Sequence, residues 1–102
     1  MCLLTAGAQE KYNSLSTPFT TPLDTIDFAN NIFKEGFRIG GKDTSKSFRL
    51  LSKAAQLFNL TGHALEEGKC YLNIGDIIFE EGNYNRSLGN YRKAADVLYE
   101  VS

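Results

Sequence analysis

Four stretches of the chain repeat their apolar residues at helical rather than strand spacing. Over residues 23 to 40, Ile26, Phe28, Ala29, Ile32, Phe33 and Phe37 keep one side of a helix apolar. Over 47 to 61, Phe48, Leu51, Ala55 and Phe58 form a stripe that Leu50, Ala54 and Leu57 widen, as fits a helix with neighbours on two sides. Over 64 to 81, Leu65, Tyr71, Leu72, Ile74, Gly75, Ile77, Ile78 and Phe79 make a broad apolar surface. The run Ile77-Ile78-Phe79 reads as a strand by itself, but the long periodic context and the glutamates beside it predict helix. Over 84 to 101, Tyr84, Leu88, Tyr91, Ala95 and Leu98 alternate steps of four and three. No segment combines strand alternation with hairpin turn chemistry. The pattern predicts an all-α fold.

Punctuation between these stretches predicts their ends. Asp24 or Thr25 is positioned to cap the first helix, and Gly40-Gly41 to end it in the left-handed conformation that glycine adopts cheaply. Asp43, Thr44 and Ser45 offer three N-caps for the second helix. Gly62 and Gly82-Asn83 mark the later turns. Residues 1–22 lack periodicity and are rich in Thr, Ser, Gly and Pro, so an irregular N-terminal arm is expected ahead of a helical domain over 23–102.

The helices are related by an internal echo. Ser87-Leu88-Gly89-Asn90-Tyr91-Arg92-Lys93-Ala94-Ala95-Asp96-Val97-Leu98-Tyr99 repeats the character of the segment from Ser47 to Asn59 at a spacing of forty. Phe33-Lys34-Glu35-Gly36 parallels Phe79-Glu80-Glu81-Gly82 at a spacing of 46, which puts six extra residues around Phe37 to Asp43. The unit is therefore a helix-turn-helix hairpin, the first over about 23–61 and the second over about 64–101. Gly75 costs about 1 kcal/mol relative to alanine within a helix, so a tight crossing is expected there, with Ala29 as its counterpart. The pairs Ala54-Ala55 and Ala94-Ala95 are expected to let neighbouring helices approach closely.

Residues 23 to 101 resemble the tetratricopeptide repeat family. The second hairpin carries Tyr71-x2-Ile74-Gly75-x2-Ile78, then Gly82-x-Tyr84, Ser87-x3-Tyr91 and Ala94. It departs from the family pattern in Ser87 and in Tyr99, where proline is usual. The first hairpin carries Phe28-Ala29-x2-Ile32 and Gly36, with Thr25 in the slot of the large aromatic. The forty-residue step looks like the longer repeats of polarity-complex scaffolds and of vesicle-fusion adaptors of the soluble NSF attachment type.

The resemblance implies a non-catalytic module that holds a peptide or helix of a partner on a concave face lined by the first helix of each hairpin. Polar stripes lie there: Asp27, Asn30 and Lys34 on the first helix, and Lys69, Asn73, Asp76 and Glu80 on the third. Amides at such positions bond an extended backbone, and lysines meet its carboxylates. Partner-binding residues are thus expected at Asn30, Lys34, Lys69, Asn73, Asp76 and Glu80. Asn30 and Asn73 resemble the asparagines of a chaperone-tail carboxylate clamp, although Ile26 stands where that clamp has lysine. The alternative reading is a structural or self-associating subunit, or a vesicle-fusion-adaptor-like repeat, acting through an exposed final helix. A further first helix would begin at about residue 104, so a longer repeat array, cover by the arm, or association of two copies is expected.

Composition narrows these readings. At 42% hydrophobic and 23% charged, the chain has the make-up of a globular protein rather than a disordered one. A net charge of −1 with scattered Lys and Arg offers no field for nucleic acid. No apolar run nears the roughly 20 residues of a membrane span, and no secretion signal opens the chain. A cytoplasmic site is expected, and the triplets Asn59-Leu60-Thr61 and Asn85-Arg86-Ser87 read as chance matches to the glycosylation signal. Cys2 and Cys70 are too few for a disulfide scaffold and, with His63, lack metal-ligand spacing. Gly36-x3-Gly40-Gly41-Lys42 lacks phosphate-loop spacing, and Glu66-Glu67 and Glu80-Glu81 are expected to be solvated helix-end pairs. No enzyme activity, cofactor or metal is expected.

Overall fold

The computed structural model describes residues 22–100. They form α1 (Pro22–Arg38), α2 (Thr44–Leu60), α3 (Ala64–Glu80) and α4 (Tyr84–Tyr99), with no strand among the described residues. Each helix packs on the next along the chain, so α1–α2 and α3–α4 form two hairpins joined through α2 against α3. The expected arm lies outside the described residues, except that Pro22 opens α1.

The helix ends follow cap chemistry, with three differences from the sequence expectation. Proline tolerates the first helical turn because that turn needs no N–H from it. Asp24 and Thr25 therefore lie inside the first turn of α1 rather than capping it. For α2 the three candidate caps resolve to Asp43, whose side chain accepts from Lys46 N at 3.0 Å. The helix consequently starts at Thr44, three residues before Ser47. Asn83 is the matching cap of α4, accepting from Arg86 N at 3.2 Å, so the caps obey the forty-residue spacing as well. The first hairpin does not end on a left-handed Gly40-Gly41. Positive φ occurs at Gly62 (76°) and Gly82 (87°) among the described residues. At the first turn the backbone instead closes through Lys42 N and Asp43 N, both donating to the Ile39 carbonyl at 2.9 Å.

The six extra residues of the first hairpin divide between helix and loop. Beyond Phe33, α1 continues five residues to Arg38, whereas α3 continues one residue beyond Phe79. About one extra turn of helix thus takes four of the six, and the loop from Ile39 to Asp43 takes the other two.

Small residues set the helix separations. A β-carbon added at Gly75 would stand 2.6 Å from Tyr91 Cε1, and one added at Gly68 would stand 2.7 Å from Leu98 Cγ. In the first hairpin one added at Gly36 would stand 3.0 Å from Leu51 Cγ. Leu51 and Tyr91 are forty apart, so the counterpart of Gly75 in close approach is Gly36, not Ala29. The sequence match at 46 misplaced it because the extra turn shifts α1 along α2. Ala29 instead belongs to the main buried cluster with Ala54, Ala55, Leu57, Phe58 and Cys70, flanked by Phe28, Ile32, Phe33 and Tyr71. Leu51, Ile74 and Ile78 make a second cluster that shares Phe33 and Tyr71 with the first. Each buried large side chain contributes roughly 1.5–3 kcal/mol. Ala94 is fully buried, but Ala95 is exposed, unlike its echo Ala55.

Candidate functional site

The expected site residues divide. Asn73, Asp76 and Glu80 open on one shallow depression of about 250 Å³, shared with Phe37, Gly40, Gly41, Leu51 and Ile77. The third helix brings them together because their steps of three and four keep one side. The extra turn of α1 adds Phe37, which is 64% exposed, at its rim. Asn30, Lys34 and Lys69 do not line this depression. Lys34 and Lys69 are exposed and Asn30 is partly so.

Two of the three converging groups are already engaged. Asn73 Nδ2 donates to its own helix at Lys69 O, 2.8 Å away, and among the described residues no bond takes its amide oxygen. Asp76 Oδ1 accepts the Tyr91 hydroxyl at 2.6 Å. That bond holds the Tyr91 phenol up at about 12, because giving up its proton would set two negative oxygens against each other. Glu80 makes no ion pair among the described residues, so the depression is acidic.

Next to this depression, with Ile77 lining both, runs a furrow that the stripe argument missed. Its floor is α3, and its walls are α2 and α4. One part, about 310 Å³, lies among Thr44, Ser45, Phe48, Arg49, Ile77, Glu81 and Arg86. The other, about 440 Å³, runs from Phe48, Ser52 and Ile74 to Asn59, Glu67, Tyr71 and Lys93. Phe48 belongs to both and is 38% exposed. The signal was present: Ser45, Arg49, Ser52, Gln56 and Asn59 step by four and three along α2, as Arg86, Asn90 and Lys93 do along α4.

Glu67 corrects the expectation of solvated glutamates. It is 6% exposed in the first turn of α3. Asn59 Nδ2 donates to both of its oxygens at 3.3 Å, and the Tyr71 hydroxyl donates to Oε2 at 3.1 Å. A helix N-terminus favours a carboxylate at this position, and Glu67 makes no ion pair among the described residues. The group ties the end of α2 to the start of α3, and that packing buries it. Burial, reinforced by Glu67, pushes the neighbouring Cys70 thiol up to about 12, so it stays a protonated core side chain. Burial and Glu67 also raise the Tyr71 phenol. His63 stands at the N-cap of α3 without a capping bond of its own and contacts Thr61 Oγ1 through Nδ1 at 3.0 Å.

Among the described residues, no three His, Cys, Asp or Glu side chains gather as metal ligands, and no helix is long and apolar enough to cross a membrane. No family model, no curated protein and no solved structure matches the chain.

Proposed function

We propose that the protein is a non-catalytic binding module of tetratricopeptide-like hairpins that holds a peptide or helix of a partner on its α1/α3 face. The convergence of Asn73, Asp76 and Glu80 beside exposed Phe37 carries this reading. The free amide oxygen of Asn73 bonds a partner's backbone N–H, and Glu80 meets a basic side chain. Asn30, Lys34 and Lys69 are proposed as further partner contacts outside this depression. The test is capture of partners from native extract by the intact chain. Asn73→Ala with Glu80→Ala is expected to remove the captured protein while helical circular dichroism stays unchanged. Retention of the same captured protein rules this face out.

A second reading rests on one observation, the exposure of Ala95, on a helix that also exposes Leu88, where its echo Ala55 is buried. Here the outer side of α4 packs against a helix of another copy. Sedimentation equilibrium tests it: a dimer that Leu88→Glu dissociates supports the reading, and a monomer at high concentration removes it.

A further inference from the structure

The furrow between α2 and α4 has a chemistry of its own. Its floor runs from Glu81, just past the end of α3, back along the helix through Ile77, Ile74 and Tyr71 to Glu67. At 1.5 Å per helical residue that floor is about 21 Å long, room for about six residues of extended chain. Exposed Phe48 stands where the two halves join, giving the furrow an apolar middle.

The charges facing the furrow are Arg49, Arg86, Lys93, Glu81 and Glu67. Among the described residues the one ion pair is Arg38 with Glu35, so neither arginine nor Lys93 is neutralised by a carboxylate. Glu81 lines the same half as both arginines but stays beyond ion-pair distance of them. Glu67 is buried, and its oxygens are taken by Asn59 and Tyr71. Lys93 Nζ rests over the Tyr71 ring, 5.7 Å from its centre, which places a cation along the wall. The furrow therefore offers cations at both ends of an apolar middle. The amides of Gln56, Asn59 and Asn90 line the second half.

We infer that this furrow is a second docking surface, separate from the α1/α3 face, and that its occupant is an acidic peptide segment with an apolar residue seated over Phe48. Arg49 and Arg86 take carboxylates at one end, and guanidinium groups pair with carboxylates through two parallel hydrogen bonds. Lys93 takes one at the other end. The two surfaces adjoin at Ile77 but differ in sign: Asp76 and Glu80 open on one, while on the other three cations outnumber Glu81 and the buried, hydrogen-bonded Glu67.

The experiment uses the full chain and a fluorescein-labelled synthetic peptide alternating glutamate and leucine, read by fluorescence anisotropy. A lysine–leucine peptide of the same length is the control. Saturable binding of the acidic peptide is expected, with little binding of the basic one. Arg49→Glu with Arg86→Glu is expected to weaken it about tenfold or more, and added salt to weaken it further. Both arginines are exposed, and circular dichroism checks that the variant keeps its helices. The milder Arg49→Ala with Arg86→Ala is expected to fall between the native and reversed proteins. Asp76→Ala with Glu80→Ala is expected to leave acidic-peptide binding intact, which separates this surface from the α1/α3 face. Three results overturn the inference: no saturable binding at low salt, equal binding of the basic peptide, or equal affinity in the charge-reversed protein.

Discussion

Helices α2 and α4 carry the same thirteen-residue echo in different surroundings. Ser47 and Ser87 are both buried, as are Ala54 and Ala94, so the inner side of each helix meets its hairpin partner alike. The outer sides differ. In α2, Ala55 is 2% exposed and Phe58 is buried, because α3 continues past them. In α4, Ala95 is exposed and Leu98 only partly buried. Echoed positions therefore contribute unequal stability, since the energy of an apolar side chain depends on the water it loses. Close approach differs too. Ser47 Oγ donates across the hairpin to the Gly36 carbonyl at 2.6 Å, while Ser87 Oγ donates within its own helix to the Tyr84 carbonyl at 2.8 Å.

Truncation separates the two helices most. Phe58→Ala is expected to cost about 3–5 kcal/mol and Leu98→Ala roughly half as much, measured by urea denaturation. Equal losses would mean that α4 is as enclosed as α2. Enlargement is the next contrast. Ala55→Leu is expected to destabilise by about 1–3 kcal/mol through overpacking, whereas Ala95→Leu stays within about 0.5 kcal/mol. A large cost at Ala95 would place a covering helix on α4 in solution.

The turns that precede these helices give a smaller contrast. Gly82 has positive φ, and Gly82→Ala is expected to cost about 1 kcal/mol; Gly40 does not, and Gly40→Ala is expected to stay within about 0.5 kcal/mol. Thermal melts of both variants check this pair.

The smallest effect belongs to Tyr91, which stands where α2 has Leu51. Its bond to Asp76 raises the folded phenol to about 12 from an ordinary value near 10. Folding thus favours the protonated phenol. The contribution is complete below the ordinary value and is lost as pH rises from about 10 towards about 12. An alkaline absorbance titration is expected to show Tyr71 and Tyr91 titrating late, and Tyr91→Phe is expected to remove one late tyrosine. Loss of only an ordinary tyrosine in that variant would show that the bond does not persist in solution.

Sequence alone determined the number, type and order of the helices and their pairing into hairpins, because apolar period and cap residues are local. The sequence also marked Gly75 as a close approach, offered Asp43 as one of three caps, and marked by its echo the paired alanines, of which Ala54, Ala55 and Ala94 are buried and Ala95 is exposed. Tertiary packing decided the rest. The extra turn of α1 moved the close approach to Gly36, which no local pattern fixes. The convergence of Asn73, Asp76 and Glu80 was readable as a stripe on one helix. Asn30 and Lys34 stay apart from it because α1 reaches the depression only at Phe37 in its last turn, and Lys69 lies one turn further back on α3. Glu67 reads as a surface residue until the end of α2 covers it and Asn59 reaches its oxygens. The α2/α4 furrow required both helices to lie over α3, since a stripe becomes a wall only when another helix supplies the facing one.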